Sequence, residues 1–505
     1  MAQLVKILFV LVMMLSLWSF EPSENGEKEP VLDLAKLNLI GSVDERFQSI
    51  NVEMCEVVGG QFWVPYHLID TARVKKEGLA ALKRKIDPIN LYNPKLRKLT
   101  EALGPMYIRV SGTWANTTYF QNDDSPKLAK APEGFENVMT RNEWKGVIDF
   151  VNDLDNQLVT SFAISKGIRD EKGNWTPAQI QPLLEYTRAI NGKIAAAEMF
   201  NEPSHASYGG APEGYDPAQY ARDFVAFSTY VKREIPSMKI MGPGSTGEGG
   251  ILGEVHEMAT DKILAQNPKP GFEIFSYHYY GGVSNRCRGN LSPADALSKE
   301  WLSRTELGLE YYENARNKYL PNAPIWLTET AEAACGGNPW AATYIDTFRY
   351  LEQLGRLAQK GVKVVMHNTL AASEYALLEQ YTFNPRPNYW AALLWGKFMG
   401  TKVFRSPYRV EGLDIFIHSL KNSKKGYTIM AVNPTEKESS LNLSSSAKQY
   451  SLTADELLGK TVKLNGKELK LNADDSLPEI SGVNVEKGTI KIPALSTVFL
   501  TIEGL

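Results

Sequence analysis

The sequence of 505 residues contains only three cysteines and has almost no net charge. The cysteines are Cys55, Cys287 and Cys335, so the fold does not depend on a disulfide framework, and at least one thiol has no partner within the chain. The formal net charge of −3 and the pI near 6.2 give no global electrostatic reason to expect nucleic acid or a densely sulfated polyanion as a partner. These totals do not exclude a basic groove on one part of the surface.

Long hydrophobic runs are also scarce. The apolar run at 7–17 is too short to cross a bilayer comfortably. It follows a single charge, Lys6, and precedes a polar acidic stretch at 21–29, which is the order of a secretory signal peptide. We therefore expect a signal peptide over residues 1–20, a secreted or periplasmic protein, and no membrane span after removal of the signal. A membrane anchor is the alternative interpretation.

The composition, 43% hydrophobic and 22% charged, is that of a globular protein with a large core and more than one domain. Short apolar, β-rich runs alternate with helical stretches along most of the chain. This alternation indicates a parallel sheet buried on both faces, and eight such strands predict an α/β fold, a closed (β/α)8 TIM barrel over residues 51–400. The predicted strands are 51–58, 107–111, 158–164, 194–200, 239–242, 273–278, 323–329 and 362–367.

The C-terminal part of the chain has a different pattern. After a predicted helix at 389–399, short alternating runs such as 413–420 and 427–432 are separated by Asn, Gly, Lys and Ser. No helical stretch is long enough to continue the barrel. The pattern predicts an antiparallel β-sandwich over residues 401–505, to which the segment 30–49 adds a strand.

Two glutamates mark the ends of predicted barrel strands. Glu202 follows the fourth strand within Asn-Glu-Pro, and Glu329 ends the seventh. Strand ends of a barrel meet at one mouth, so the two carboxylates are expected to face each other there. Retaining glycosidases need such a pair, about 5 Å apart. Each glutamate has an alternative role at a helix N-terminus, and Glu332, three residues after Glu329, is expected to be non-catalytic.

Further polar side chains follow neighbouring strands. His278 and the tyrosines after it run toward the barrel mouth, where one of them is expected to hold Glu329 oriented and ionised. Core packing is the alternative for each ring. Arg109 lies on the second strand, where it either lowers the pKa of a glutamate or forms a structural ion pair.

Cys287 and Cys335 each follow a strand at the same face of the predicted barrel. A disulfide between their loops is therefore one interpretation, although connectivity does not follow from sequence. Free thiols are the interpretation that we prefer.

The sequence resembles the heparanase and β-glucuronidase family, family 79 of the glycoside hydrolases, over roughly residues 95–505. The later run Asn388-Tyr389-Trp390, followed by Gly400-Thr401-Lys402-Val403, is its most specific match, because catalysis does not require those residues. The other matching stretches are 94–99, 107–113, 201–203, 278–280, 326–330 and 364–366.

The resemblance implies individual roles. Glu202 would be the acid/base, Asn201 a sugar hydroxyl contact, Glu329 the nucleophile and Tyr279 its support. Family members bind the uronate carboxylate through backbone amides of a Gly-rich loop after the nucleophile and through a tyrosine after the eighth strand. The residues expected to bind substrate are Asn201, Tyr279, His278, Cys335, Gly336, Tyr375, Thr113 and Arg109, and Gly337 belongs to the same loop.

The chain departs from the family in this loop, where Ala334 and Cys335 replace a common tyrosine and glycine. The loss of the phenol weakens the argument for glucuronate, whereas an amide at Cys335 can still donate. The basic residues Arg286 and Arg288 are interpreted as solvated loop charges, which favours a less sulfated substrate.

These observations predict a retaining β-glucuronidase that acts on an oligosaccharide or polysaccharide containing uronate, with no metal, no cofactor and no nucleic acid partner. A retaining glycosidase for a neutral sugar is one alternative. A non-catalytic barrel that binds glycans is the other.

Overall fold

The computed structural model describes residues 31–252, 256, 258–407 and 409–504. The predicted signal peptide, residues 1–20, lies outside the described residues. Within those ranges, no helix is both long enough and apolar enough for a bilayer crossing.

Eight parallel strands close into a barrel in which each strand pairs with its neighbours in chain order, so the predicted TIM barrel is confirmed. The second strand has the predicted bounds, and the others shift by a few residues. The barrel strands are Gln48–Glu53, Tyr107–Ser111, Gln157–Ser161, Ile194–Glu198, Lys239–Ser245, Ile274–Tyr280, Ile325–Ala331 and Val364–Asn368.

Helices pack around the barrel and start at recognisable caps. Thr140 and Glu143 form a reciprocal capping box at Arg141–Asp153, and the Asp216 side chain caps Pro217–Glu234. The α-helices among the described residues are Met54–Val58, Thr71–Glu77, Pro94–Ala102, Arg141–Asp153, Ile180–Ala189, Pro217–Glu234, Thr260–Leu264, Lys299–Ser303, Thr305–Tyr319, Asp346–Gln359 and Pro387–Phe398.

The first predicted strand, 51–58, is wrong in its second half. The structure ends that strand at Glu53 and forms the helix Met54–Val58. A capping box explains the change, because the side chains of Glu53 and Glu56 each accept from the backbone N–H of the other. An apolar run of this length does not distinguish a buried strand from a buried helix.

The C-terminal residues form two sheets. One has nine strands, Asn38–Ser42, Met399–Arg405, Asp414–Leu420, Gly426–Asn433, Ser496–Glu503, Ala447–Thr453, Lys463–Leu464, Lys467–Glu468 and Val483–Val485. The other has three, Val31–Leu32, Ser439–Leu443 and Gly488–Ile492. Both sheets therefore take a strand from the segment 31–42. An apolar cluster contains side chains from both sheets, including Leu32, Ile429 and Ile492.

Close contacts join the sheets to the barrel. A Cβ built on Gly355, in the barrel helix Asp346–Gln359, would lie 2.4 Å from Cγ of Phe416. Only glycine allows this approach. The Tyr344 hydroxyl donates to the carbonyl oxygens of Leu452 and Leu495, each at 2.9 Å. The sheets thus pack against the barrel helix Asp346–Gln359 and against the segment that follows the seventh strand.

Candidate active site

Glu329 lies on the seventh barrel strand, Ile325–Ala331, and both of its carboxylate oxygens are held. The Tyr280 hydroxyl donates to Oε1 at 2.6 Å, and the Arg109 Nη1 group donates to Oε2 at 2.9 Å. The residue is only 5% exposed. Two donors on a rigid strand leave the carboxylate one orientation, which is what a nucleophile requires.

Glu202 follows the fourth strand, Ile194–Glu198, in a left-handed backbone conformation with φ 49° and ψ 65°. Such a conformation is strained for a glutamate. Its neighbour Asn201 is anchored on both sides, since its N–H donates to Oδ1 of Asn116 and its carbonyl accepts from Nδ2 of Asn116. Burial raises the pKa of Glu202 above its usual 4.5, which favours the protonated form.

The two glutamates face each other across the barrel mouth. One carboxylate oxygen of Glu202, one of Glu329 and a ring nitrogen of His278 all lie within 4.8 Å of one another. Such a close approach fits the geometry of retaining glycosidases, whose two carboxyl groups lie about 5 Å apart.

His278 connects Glu202 to the rest of the site. Its Nε2 lies 3.3 Å from Nη2 of Arg109, and its Nδ1 lies 3.0 Å from Oε1 of Glu202. Burial lowers the pKa of His278 to about 4, so the ring is neutral near pH 7. Because a guanidinium only donates, Nε2 accepts, and Nδ1–H therefore donates to Glu202.

Arg109 is 1% exposed and lies among acidic and amide groups. Its Nη1 donates to Glu329, and its Nη2 donates to Glu198 Oε2 and Asn201 Oδ1, each at 2.8 Å. Burial acts to raise the pKa of Glu198, but the Arg109 charge outweighs burial and holds this pKa below its usual value. Sequence reasoning missed Glu198, and the signal was a carboxylate that ends the small apolar run at 195–197 on an inward-facing strand.

The tyrosine that supports Glu329 is Tyr280, so the expectation for Tyr279 is wrong. Neighbouring residues of a strand point to opposite faces, and Tyr280 shares the face of His278. His278 pairs with Glu329 in register after a shift of the ladder. Tyr279 turns outward, where a Cβ built on Gly308 would lie 2.5 Å from its ring.

Glu53, at the end of the first strand, is a further carboxylate that sequence reasoning missed. Its Oε1 accepts from Nδ2 of Asn368 at 3.0 Å, and the residue is 5% exposed. Burial, followed by the nearby Glu329 charge, raises the pKa of Glu53 well above its usual value. This shift favours the protonated form of Glu53.

The loops after the sixth and seventh strands are joined covalently. Cys287 and Cys335 form a disulfide, so the preferred interpretation of free thiols is wrong for this pair. Cys55 is a buried free thiol. Hydrogen bonds strengthen the junction, since the Ser284 hydroxyl donates to the Cys335 carbonyl at 3.1 Å.

The turn after Glu329 presents backbone amides. Cys335, Gly336 and Gly337 all have positive φ, at 63°, 80° and 76°. The Gly337 N–H donates to Ala333 O. Among the described residues, the N–H groups of Cys335 and Gly336 have no acceptor, so these two amides are the ones left for a ligand.

Tyr375, after the eighth strand, lies beside this turn and near Glu329. Its hydroxyl accepts from Nδ2 of Asn368 at 3.2 Å, and its ring centroid lies 6.4 Å from that of Tyr280. A Cβ built on Gly337 would lie 2.9 Å from the Tyr375 ring. The structure thus brings Cys335, Gly336 and Tyr375 together.

Two other predicted residues lie apart from the glutamate pair. Glu332 accepts from the N–H and Nδ2 of Asn338, and burial raises its pKa to about 7. This contact with a turn matches a structural role. Thr113 begins the 3₁₀ helix Thr113–Thr117, is half-buried, and makes no hydrogen bond to Glu202 or Glu329.

The interpretation of Arg286 as a solvated charge is wrong, whereas Arg288 is exposed. The Arg286 side chain is 1% exposed, and its guanidinium carbon lies 4.4 Å from the centroid of the Tyr66 ring. The physical reason is tertiary: Tyr66 belongs to a segment far away in sequence that folds over the loop.

Residues 81–355 match the model of the N-terminal domain of glycosyl hydrolase family 79. The chain belongs to glycoside hydrolase family 79. It is accordingly a glycosidase, and the predicted resemblance is confirmed.

Similar proteins of this family cover most of the chain. A hyaluronoglucuronidase of Hirudo nipponia is 25% identical, covering 90% of this chain and 94% of its own. A heparanase of Rattus norvegicus is 26% identical, with shares of 82% and 86%. A baicalin-β-D-glucuronidase of Scutellaria baicalensis is 30% identical, with shares of 82% and 84%.

Solved structures support the fold. A 4-O-α-L-rhamnosyl-β-D-glucuronidase of Fusarium oxysporum 12S superposes with a TM-score of 0.64, covering 94% of this chain and 99% of its own at 12% identity. A family 51 arabinofuranosidase of Xanthomonas axonopodis pv. citri gives a TM-score of 0.63 at 15% identity, with the same shares. At these identities the likeness concerns the fold alone.

Proposed function

We propose that this family 79 glycosidase is a retaining β-glucuronidase that removes a β-linked uronic acid from glycans or glycoconjugates. The observation that carries the proposal is the pair of carboxylates, Glu202 and Glu329, within 4.8 Å at the barrel mouth. Relatives whose names include hyaluronoglucuronidase and baicalin-β-D-glucuronidase support the choice of sugar.

In the first step, a carboxylate oxygen of Glu329 forms a bond to the anomeric carbon while the bond from that carbon to the leaving oxygen breaks. The proton of Glu202 passes to the leaving oxygen. The raised pKa of Glu202 keeps this proton available, and Tyr280 and Arg109 hold the nucleophile in line.

In the second step, Glu202 takes a proton from water, whose oxygen attacks the anomeric carbon and releases Glu329. The hydrogen bond from His278 orients Glu202 in both of its protonation states. Retention of the β configuration follows from the two displacements.

The substrate carboxylate would be bound by the amides of Cys335 and Gly336 and by the Tyr375 hydroxyl. These groups lie on the loops that follow the seventh and eighth strands, next to the nucleophile. A carboxylate accepts strongly from several such donors.

Two further proposals concern organisation. Shared apolar contacts between the two C-terminal sheets support a β-sandwich domain over 401–505, joined by strands from 30–49, next to a catalytic barrel over 51–400. The charge, apolar run and acidic stretch at the N-terminus support secretion or export to a periplasm.

A substrate panel tests the function. We expect kcat/KM to be highest for an aryl β-glucuronide among matched aryl β-glucosides, β-galactosides and β-xylosides. A higher kcat/KM on a neutral glycoside would contradict the choice of sugar. Binding of the panel without any hydrolysis would contradict the enzyme assignment.

A further inference from the structure

Arg286 is a buried cation in the loop after the sixth barrel strand. Its side chain is 1% exposed, and its guanidinium packs over the ring of Tyr66, with Trp63 at 5.8 Å. Arginine is rarely buried without a charged partner. The burial of the Arg286 charge is therefore unusual.

The pairing of this guanidinium is incomplete. The nearest acidic group is Glu374, whose Oε1 lies 3.8 Å from Nη2. None of the three guanidinium nitrogens of Arg286 has a hydrogen-bond partner among the residues that the structure describes. Contact with an aromatic face compensates only part of the cost of burying such a charge.

The position of Arg286 is linked to the turn that carries the free amides. Its N–H donates to the Tyr66 hydroxyl at 3.2 Å, and that hydroxyl donates to Gly337 O at 3.3 Å. The next residue, Cys287, is bonded to Cys335, which precedes Gly336. The cation and the turn are thus held in one fixed arrangement.

The charge also acts at Tyr375. Burial raises the pKa of the Tyr375 phenol well above its usual value, and the positive charge of Arg286 acts in the opposite direction. Contacts connect the two side chains, since the guanidinium covers the Tyr66 ring, the Tyr66 hydroxyl donates to Gly337 O, and a Cβ built on Gly337 would lie 2.9 Å from the Tyr375 ring. The guanidinium would act through space, because its nitrogens are closed off from solvent.

A substrate carboxylate meets an unfavourable field without this cation. Glu198 and Glu329 carry two negative charges against the single positive charge of Arg109. A third anion beside Tyr375 would be repelled, and in a buried site such repulsion is only weakly screened. The positive charge of Arg286 would oppose this repulsion.

We propose that Arg286 determines specificity for an anionic sugar, as a buried counter-charge to the substrate carboxylate held by Cys335, Gly336 and Tyr375. It is a positioning residue, since its charge acts on the bound carboxylate from a distance and the side chain does not touch the reacting atoms. The inference rests on the proposed β-glucuronidase function and assigns a further residue to the recognition of its substrate.

The test compares kcat/KM for an aryl β-glucuronide and an aryl β-glucoside in three variants. Arg286→Gln should lower the glucuronide-to-glucoside ratio by about tenfold to a hundredfold, the effect of one charge several ångströms away at intermediate dielectric. Arg286→Lys keeps the charge and should retain most of the ratio. Arg288→Gln, an exposed charge two residues away, is the matched control and should leave the ratio unchanged.

Equal losses on both glycosides in Arg286→Gln would overturn the inference, because packing alone would then explain Arg286. A further variant, Glu374→Gln, tests the proposal even if Arg286→Gln does not fold. It removes the acidic group nearest to Arg286 and should raise the glucuronide-to-glucoside ratio. An unchanged or lower ratio would contradict the proposal. A wild-type enzyme without preference for the glucuronide would instead refute the β-glucuronidase function itself.

Discussion

The Tyr280 hydroxyl lies 2.6 Å from Oε1 of Glu329 and donates to it. The bond joins the sixth and seventh barrel strands at their carboxyl ends. It fixes the oxygen of the proposed nucleophile that Arg109 does not hold. The position of a single hydroxyl is therefore expected to matter for turnover.

Tyr280→Phe should lower kcat by about ten- to a hundredfold, because a hydrogen bond to a charged group contributes about 1.5–3 kcal/mol. Steady-state kinetics on an aryl β-glucuronide measures the change. The matched control is Tyr279→Phe, whose ring faces outward, and it should retain activity. Equal losses in both variants would exclude a specific role for Tyr280.

Glu329→Gln should abolish turnover, since an amide does not form the glycosyl-enzyme. Glu202→Gln should lower kcat by about 10²- to 10⁴-fold. The loss in the first step should be smaller for substrates whose aglycone leaves without taking up a proton. Both are measured with an activated aryl β-glucuronide. Glu332→Gln is the control and should stay active, whereas substantial hydrolysis by Glu329→Gln would refute the nucleophile assignment.

The basic limb of the pH profile should report Glu202. Burial raises the pKa of this group above 4.5, and the acid must be protonated in the first step. Activity is therefore expected to persist above pH 4.5 and to fall as pH rises through the raised pKa of Glu202. A measurement of kcat/KM against pH tests this prediction. A kcat/KM that already decreases with rising pH below pH 4.5 would contradict it.

Stability should also depend on pH through Glu332. Burial raises the pKa of Glu332 from 4.5 to about 7 in the folded protein, so its contribution is fully present below pH 4.5 and is lost as pH rises through 7. The shift corresponds to about 3 kcal/mol at most. The Tm of Glu332→Gln should change less between pH 4.5 and 7 than that of the wild type, and identical pH slopes would contradict the prediction.

The disulfide should stabilise the loops around the turn. The bond closes a separation of 48 residues, for which loop entropy suggests about 2–4 kcal/mol. The double variant Cys287→Ser/Cys335→Ser should therefore have a lower Tm, and reductant should lower the Tm of the wild type alone. If reductant lowered both equally, the effect would not arise from this bond.

Much of the barrel could be predicted because parallel strands buried on both faces leave continuous apolar runs in the sequence. The run at 51–58 shows the limit, since a capping box turned its second half into a helix. The polar interior of the site was harder to predict. Glu198 left a weak signal at the end of its apolar run, whereas Glu53 became recognisable as a site residue only when the strands closed around Arg109.

Local sequence by itself determined the order of the eight strands and the placement of Glu202 after the fourth and of Glu329 on the seventh, because alternation of apolar runs and helices is a short-range signal. Tertiary structure alone decided that Tyr280 supports the nucleophile, that Cys287 bonds Cys335, and that Arg286 is buried. Each of these depends on strand register or on a contact between distant segments. Such contacts are set by the packing of the closed barrel, and no local pattern encodes them.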